Sequence, residues 1–186
     1  MRIVAGAWRG RVLRTPPGQV IRPTADRVRQ ALFDMLLHAP LGGRSVVEGA
    51  VVLDAFSGTG ALGLEALSRG AAVATFIERN PIALATLRAN ITDLGADDRC
   101  TVLAGDALAA PRGVSCSLLF LDPPYGRGMV PLALKQLTRQ GWLADDALIV
   151  AETARDERIL VETLLSERVH GAARLSVWRA SAATLG

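Results

Sequence analysis

The chain has 186 residues, half of them hydrophobic and 21% charged, with a formal net charge of +3, the balance of a soluble globular protein of one ordinary domain. No apolar run approaches the roughly 18 residues needed to cross a bilayer, which excludes a membrane-spanning helix. Cys100 and Cys116 are the only cysteines and lack CxxC spacing, so free, buried thiols are expected rather than a disulfide scaffold, and neither His38 nor His170 has a ligand-like neighbour for a metal.

The first segment, MRIVAGAWRGRVLR, has no apolar core of the secretory kind, so a cytoplasmic protein is expected. Residues 1–44 hold eight arginines against Asp26 and Asp34, a net +6, which leaves −3 for the remainder. A basic arm on a mildly acidic body predicts a polyanionic partner touched mainly by one end. RIVAGAWRGRVLRTPPG reads as a short hairpin or extended arm, broken by Pro16, Pro17 and Gly18. Thr24 then suits the cap of a helix whose Val28, Ala31, Leu32, Met35 and Leu36 share one face, with Arg27 and Arg29 outside that stripe.

From about Val46 onward, apolar runs of strand length alternate with helical stretches. The first strand ends VVLDAF, a helix follows over 60–70, and VATFIE (73–78) is the second strand. Asn80 and Pro81 suit the start of the next helix, which Gly95 closes. Strands are expected at 100–106, 117–122 and 147–152, with a helix beginning at Met129 between the last two. A further helix is expected over RDERILVETLLSE, and RLSVWRAS (174–181) reads as a final strand, with Trp142 and Trp178 in the core. This alternation predicts an α/β fold whose mostly parallel sheet is covered on both faces.

In such sheets ligands sit outside the carboxyl ends of the strands. Four strand ends carry an acid: Asp54, Glu78, Asp106 and Asp122. The first continues as DAFSGTGALG, where Gly58, Gly60 and Gly63 let the backbone approach a ligand at a helix start. Taken alone, that GxGxxG would also admit a nicotinamide dinucleotide enzyme. With Asp54 and the longer loop, it resembles motif I of the Rossmann-like methyltransferases that bind S-adenosyl-L-methionine. The resemblance implies that Asp54, Phe56, Ser57, Gly58, Gly60, Glu78, Asp106 and Ala107 hold this cofactor, released as S-adenosyl-L-homocysteine. Glu78 would then accept from the ribose hydroxyls and Asp106 from the adenine amine.

Asp122-Pro123-Pro124-Tyr125 resembles motif IV of the amino-methyltransferases, which methylate a planar nitrogen. Such a nitrogen is a poor nucleophile because its lone pair is delocalised. The Asp122 side chain and the Pro123 carbonyl can accept its hydrogens and aim the lone pair at the methyl donor. The prolines fix these acceptors in place, and the Tyr125 ring can stack on the base. An isolated Pro-Pro-Tyr would more simply be a rigid turn with a core tyrosine. An ordinary aspartate, with a pKa near 4, is too weak to deprotonate a neutral amine in advance. The proton is therefore expected to leave after the methyl arrives.

The whole pattern resembles the 16S ribosomal RNA guanine-N2 methyltransferases of the RsmD type. The carriers are Trp8-Arg9-Gly10-Arg11 and Arg22-Pro23-Thr24 followed by Asp26-Arg27-Val28-Arg29, together with LDAFSGTGALGLEALSRGA and LDPPY. The chain departs from that pattern at Ala5, usually glycine, and Gln30, usually glutamate. The resemblance implies an antiparallel final strand and an arginine-rich arm over residues 1–22 joined to a methyltransferase domain over 23–186. It further implies a monomer that methylates a guanine N2 on an assembling or assembled small subunit. Asp122, Pro123 and Tyr125 would act on the base, with Arg2, Trp8, Arg9, Arg11, Arg22, Arg27 and Arg29 on RNA. Trp8 could equally pin the arm to the body. A DNA adenine-N6 or cytosine-N4 methyltransferase, and a non-catalytic rRNA-binding assembly factor, remain the alternative readings.

Overall fold

The computed structural model describes residues 1–16, 23–37, 42–161 and 164–180, with the backbone alone at 23–25. The expectations placed on Pro17, Gly18, Arg22, His38 and Ser181, and on the Thr24 side chain, lie outside the described residues. Five parallel strands form the body of one sheet: β1 (Val51–Ala55), β2 (Val73–Glu78), β3 (Cys100–Ala104), β4 (Cys116–Leu121) and β5 (Leu143–Ala154). Two more complete it, β6 (Leu164–His170) and β7 (Ala173–Arg179), in the order β3-β2-β1-β4-β5-β7-β6. β7 is antiparallel to both of its neighbours, as expected of the final strand.

Because the central strands are apolar on both faces, both must be covered. Helices α1 (Pro23–Leu37), α2 (Ala61–Ser68) and α3 (Pro81–Leu94) cover one face, where Phe33, Leu64 and Leu87 share a core with Phe120 and Val150. Helix α4 (Met129–Arg139) covers the other, packing Val130, Leu134 and Leu137 against Leu119, Ile149 and Trp178. Trp142 and Trp178 are buried, as expected. Local chemistry places α3: the Asn80 side chain accepts the amides of Ile82 and Ala83 at 2.9 and 3.2 Å, Pro81 opens the helix, and Gly95 closes it at φ +65°. α1 begins at Pro23, so Thr24 lies inside its first turn rather than at its cap, a start that suits proline because the first helical amide needs no partner.

The amino-terminal segment is a short hairpin bridged between Arg2 and Val12, with the Ile3 amide donating to the Arg11 carbonyl at 2.9 Å. Ile3 and Leu13 are buried in the same core as α1 and α2, so the arm is packed onto the body. Gly6 holds a left-handed φ of +81° so close to α2 that a Cβ would lie 1.8 Å from the Ser68 carbonyl oxygen. Trp8 is half-buried against the core, its amide donates to Ser68 Oγ at 3.0 Å, and the Arg99 guanidinium lies 4.9 Å over its ring. The indole therefore does pin the arm.

Glu65 of α2, fully buried, ties this arrangement together. Its oxygens accept the Val4 amide at 2.8 Å and the Ala5 amide at 3.0 Å, pair with Arg69 at 2.7 Å, and face Arg29 of α1 at 3.4 Å. Arg29 also reaches Asp26 at 2.9 Å and donates to the Arg2 carbonyl. The expectation that Arg29 lies outside the apolar stripe with a hand on RNA is thus corrected: it is only 4% exposed, drawn inward by two carboxylates. Arg27 is exposed as expected, and Gln30 donates to Asp34 rather than meeting an arginine.

The helix expected over RDERILVETLLSE is also corrected. Residues 157–161 carry no helix, and from Leu164 the chain is edge strand β6, paired with β7. Ile159 and Val161 pack on the core while Leu160 between them is 96% exposed, an alternation of period two that only extended chain provides. Pairing with β7 outweighs the local helical propensity here.

Replacing Glu65→Gln keeps the shape but removes the negative charge that two buried arginines share. It is expected to lower unfolding free energy by about 3–5 kcal/mol in urea titrations and to hasten tryptic cleavage of the arm. An unchanged midpoint contradicts the network's role.

Candidate active site

The parallel strands all end on one edge of the sheet, and the loops beyond them enclose a cleft of about 630 Å³. It is lined by Phe56, Glu78, Asp106 and Ala107 on one side and by Asp122, Pro123 and Tyr125 on the other. The two groups of residues separated by up to seventy positions in the chain therefore share one cavity.

The glycine loop is built around two carboxylates. Asp54, buried at the end of β1, accepts the Gly63 amide at 2.9 Å and so fixes the start of α2. Gly63 must lack a side chain, because a Cβ would lie 2.4 Å from the Phe76 ring. Phe56 turns the chain with a φ of +70°, a strained conformation for a side-chain-bearing residue. Glu78 accepts the Gly58 amide at 2.8 Å with one oxygen and the amides of Arg79 and Asn80 at 2.8 and 2.7 Å with the other. A carboxylate has about four lone-pair sites, so capacity remains for ligand donors. Asp106 caps the turn Ala107–Ala109 by accepting the Leu108 amide at 3.0 Å and pairs with Arg79 at 2.9 Å.

Across the cleft, Pro123 is buried and Tyr125 is 44% exposed, its hydroxyl donating to Glu152 of β5. Asp122 is open to the cleft, yet crowded by protein. Burial first, then repulsion from Glu152 and Asp54, holds its carboxyl well above the usual aspartate range. Asp122 is therefore a better proton acceptor than the ordinary carboxylate expected from sequence. Burial likewise raises Glu152, although the Tyr125 hydrogen bond opposes it. Glu152 and Arg79 were not anticipated. The rule that reads Asp122, an acid closing an apolar strand, applies equally to the end of ALIVAE.

None of the described arm residues lines this cleft. Trp8 packs by Ser68, at the end of α2 away from the glycine loop, roughly 12 Å along the helix at 1.5 Å per residue. Arg2, Arg9 and Arg11 are exposed, and Arg11 donates to the Asp93 carbonyl of α3. Among the described residues no His, Cys, Asp and Glu cluster could hold a metal ion, and no helix is long and apolar enough to cross a membrane.

Burial pushes the Asp54 carboxyl up to about 7, from 3.8 when exposed, with the Gly63 amide opposing and Glu78 adding to the rise. Between those values the folded state keeps a proton that the unfolded chain has lost, so stability falls as pH rises through this window. Asp54→Asn, which can still accept the Gly63 amide, is expected to flatten that decline in thermal melts taken from pH 4 to pH 7. Parallel curves for the two proteins contradict this.

A family model described as conserved hypothetical protein 95 matches residues 1–179. Ribosomal RNA small subunit methyltransferase D of Escherichia coli (strain K12) is 43% identical over 155 residues, covering 82% of this chain and 74% of that one. The protein of the same name from Haemophilus influenzae is 34% identical over 179 residues, 92% of this chain and 89% of its own. The solved structure of yhhF from Escherichia coli superposes with a TM-score of 0.81 at 38% identity, covering 96% of this chain and 97% of that one. With the match running along nearly the whole chain, this protein belongs to the conserved hypothetical protein 95 family, the RsmD-type family that its arm, glycine loop and DPPY corner resemble.

Proposed function

We propose that the chain transfers a methyl group from S-adenosyl-L-methionine to the exocyclic N2 amine of a guanine in 16S ribosomal RNA, giving N2-methylguanosine. One observation carries this reading: a single cleft joins the glycine loop to the Asp122–Tyr125 corner. The cleft volume of about 630 Å³ suits a ligand of the cofactor's size. Of the glycine loop, the lining takes in Phe56, and Gly58 is held beside the cleft by its bond to Glu78, where a Cβ would meet no protein atom. Glu78, Asp106 and the backbone of residues 56–60 would hold the cofactor, which supplies an electrophilic methyl when bound.

The chain's own residues do the rest. Asp122 and the Pro123 carbonyl accept the two amine hydrogens, which localises the nitrogen lone pair and orients it. Tyr125 lies open to the cleft and stacks on the flipped base, its ring held by the bond to Glu152. As the new nitrogen–carbon bond forms, an N2 proton passes to Asp122, whose raised proton affinity suits that task. In this reading the protein is a cytoplasmic monomer that acts on an assembled or assembling small subunit. Residues 1–22 serve as the RNA-contacting extension, with Arg2, Arg9 and Arg11, and Arg27 of α1, on phosphates.

With labelled cofactor and small-subunit RNA, the wild-type product is expected to be N2-methylguanosine after nuclease digestion. Asp122→Ala should bind the cofactor normally in equilibrium dialysis yet lose transfer by about a hundredfold or more. Retained transfer in that variant, or label in another nucleoside, contradicts the reading. Changing Arg9 and Arg11 together to Ala is expected to weaken RNA binding and shallow its salt dependence by about one unit of slope per lost phosphate contact. A slope equal to wild type would make the arm purely structural.

A further inference from the structure

The Asp122 and Pro123 acceptors suit any planar exocyclic amine, so they do not select guanine over adenine or cytosine. Discrimination needs a group that reads the ring nitrogen beside the amine. In guanine that neighbour, N1, carries a hydrogen; in adenine and cytosine it carries a lone pair.

Glu152 borders the Asp122–Tyr125 corner: it is hydrogen-bonded to Tyr125 of the cleft wall and lines the adjoining hollow rather than the cleft itself. Leu121, the last residue of β4, pairs with Ala151 of β5, so Asp122, just beyond β4, comes next to Glu152. Both extend the face of the sheet that carries Phe120 and Val150, because alternate residues share a face. The Tyr125 hydroxyl donates to Oε1 of Glu152, which anchors the carboxylate beside the stacking ring. The side chain also borders a small hollow otherwise walled by apolar groups, among them Val28, Leu32, Leu62 and Leu175. In such surroundings an unmatched polar group is costly.

We propose that Glu152 is the guanine-selecting residue of this site: its carboxylate accepts the N1 hydrogen while Asp122 and the Pro123 carbonyl accept those of N2. This rests on the guanine reading given above. Guanine presents adjacent donors to adjacent acceptors, whereas the lone pair of adenine N1 or cytosine N3 would face a carboxylate and be repelled. Glu152 repels the neighbouring Asp122 carboxyl, and a row of N–H donors relieves that repulsion by favouring the ionised form. A stacking tyrosine tied to the same carboxylate couples base orientation to edge recognition.

The test pairs a variant with a base analogue. Small subunits are reconstituted with rRNA carrying either guanine or 2-aminopurine at the target position; 2-aminopurine keeps the 2-amine but has a lone pair at N1. Wild type is expected to favour guanine by about ten- to a hundredfold in kcat/KM, the factor an unmatched buried polar group costs. In Glu152→Gln the amide oxygen can still take the Tyr125 hydroxyl, which turns the NH2 toward the base. That variant should lose guanine activity while holding or gaining activity on 2-aminopurine, so the preference collapses or inverts. Equal loss on both bases, with cofactor affinity and melting unchanged, assigns Glu152 a structural role and overturns the proposal. If Glu152→Gln does not fold, Glu152→Asp serves the same comparison, with the acceptor withdrawn by one methylene and the preference reduced. A wild-type enzyme that leaves guanine unmodified overturns the rRNA reading itself, and this inference with it.

Discussion

The buried carboxylate of Glu65 is the constraint on which the architecture turns. It sits on α2, the helix that begins at the glycine loop, and it receives donors from three directions: two arm amides, Arg29 of α1 and Arg69 of its own helix. A charge so deep in the protein is tolerated only when its acceptor capacity is filled, so the arm, α1 and α2 must come together. Positioning α2 also positions its first turn, where the Gly63 amide meets the buried Asp54 carboxylate. The basic arm and the glycine loop are thus both tied to α2.

A second electrostatic theme lies at the strand ends. Asp54, Asp122 and Glu152 come from the adjacent strands β1, β4 and β5 and stand on one face of the sheet. Burial lifts all three carboxyls, and at Asp122 repulsion from Glu152 and Asp54 adds to the rise. Such a row weakens the folded state, and a structural core would have no use for it. It makes physical sense as a surface that awaits hydrogen-bond donors, which a base edge presents in a line.

Most of the fold was legible because its signals are local. Asn80, Pro81 and Gly95 delimit α3 through bonds to their own neighbours; β2 ends on Glu78, β3 runs into Gly105 and β4 into Asp122, while β1 and β5 pass Asp54 and Glu152 before they stop. The antiparallel direction of β7 followed from the family resemblance alone, and the strand is buried on both faces between β5 and β6. Two features were not legible, for physical reasons. Arg29 reads as a surface cation because its partner Glu65 is 36 residues away and nothing local announces the pairing. The segment 155–167 has apolar residues that suit both a helix and an extended chain, and only the presence of β7 beside it decides. At the site, the glycine loop and the DPPY corner were legible as separate pieces, and their shared cleft follows from β1 and β4 being neighbours. Glu152 escaped notice because it acts through that same adjacency, one strand further along.

The account stands or falls on the modified nucleotide. The most direct measurement is methyl transfer from labelled S-adenosyl-L-methionine to small subunits purified from cells that lack this protein, followed by mass-spectrometric mapping of the digested rRNA. One guanine, methylated once at N2 and lying in a loop of the 16S chain, is the result this structure predicts. Label on an adenine or cytosine amine, or subunits that accept no methyl from an enzyme shown to bind the cofactor, would contradict it.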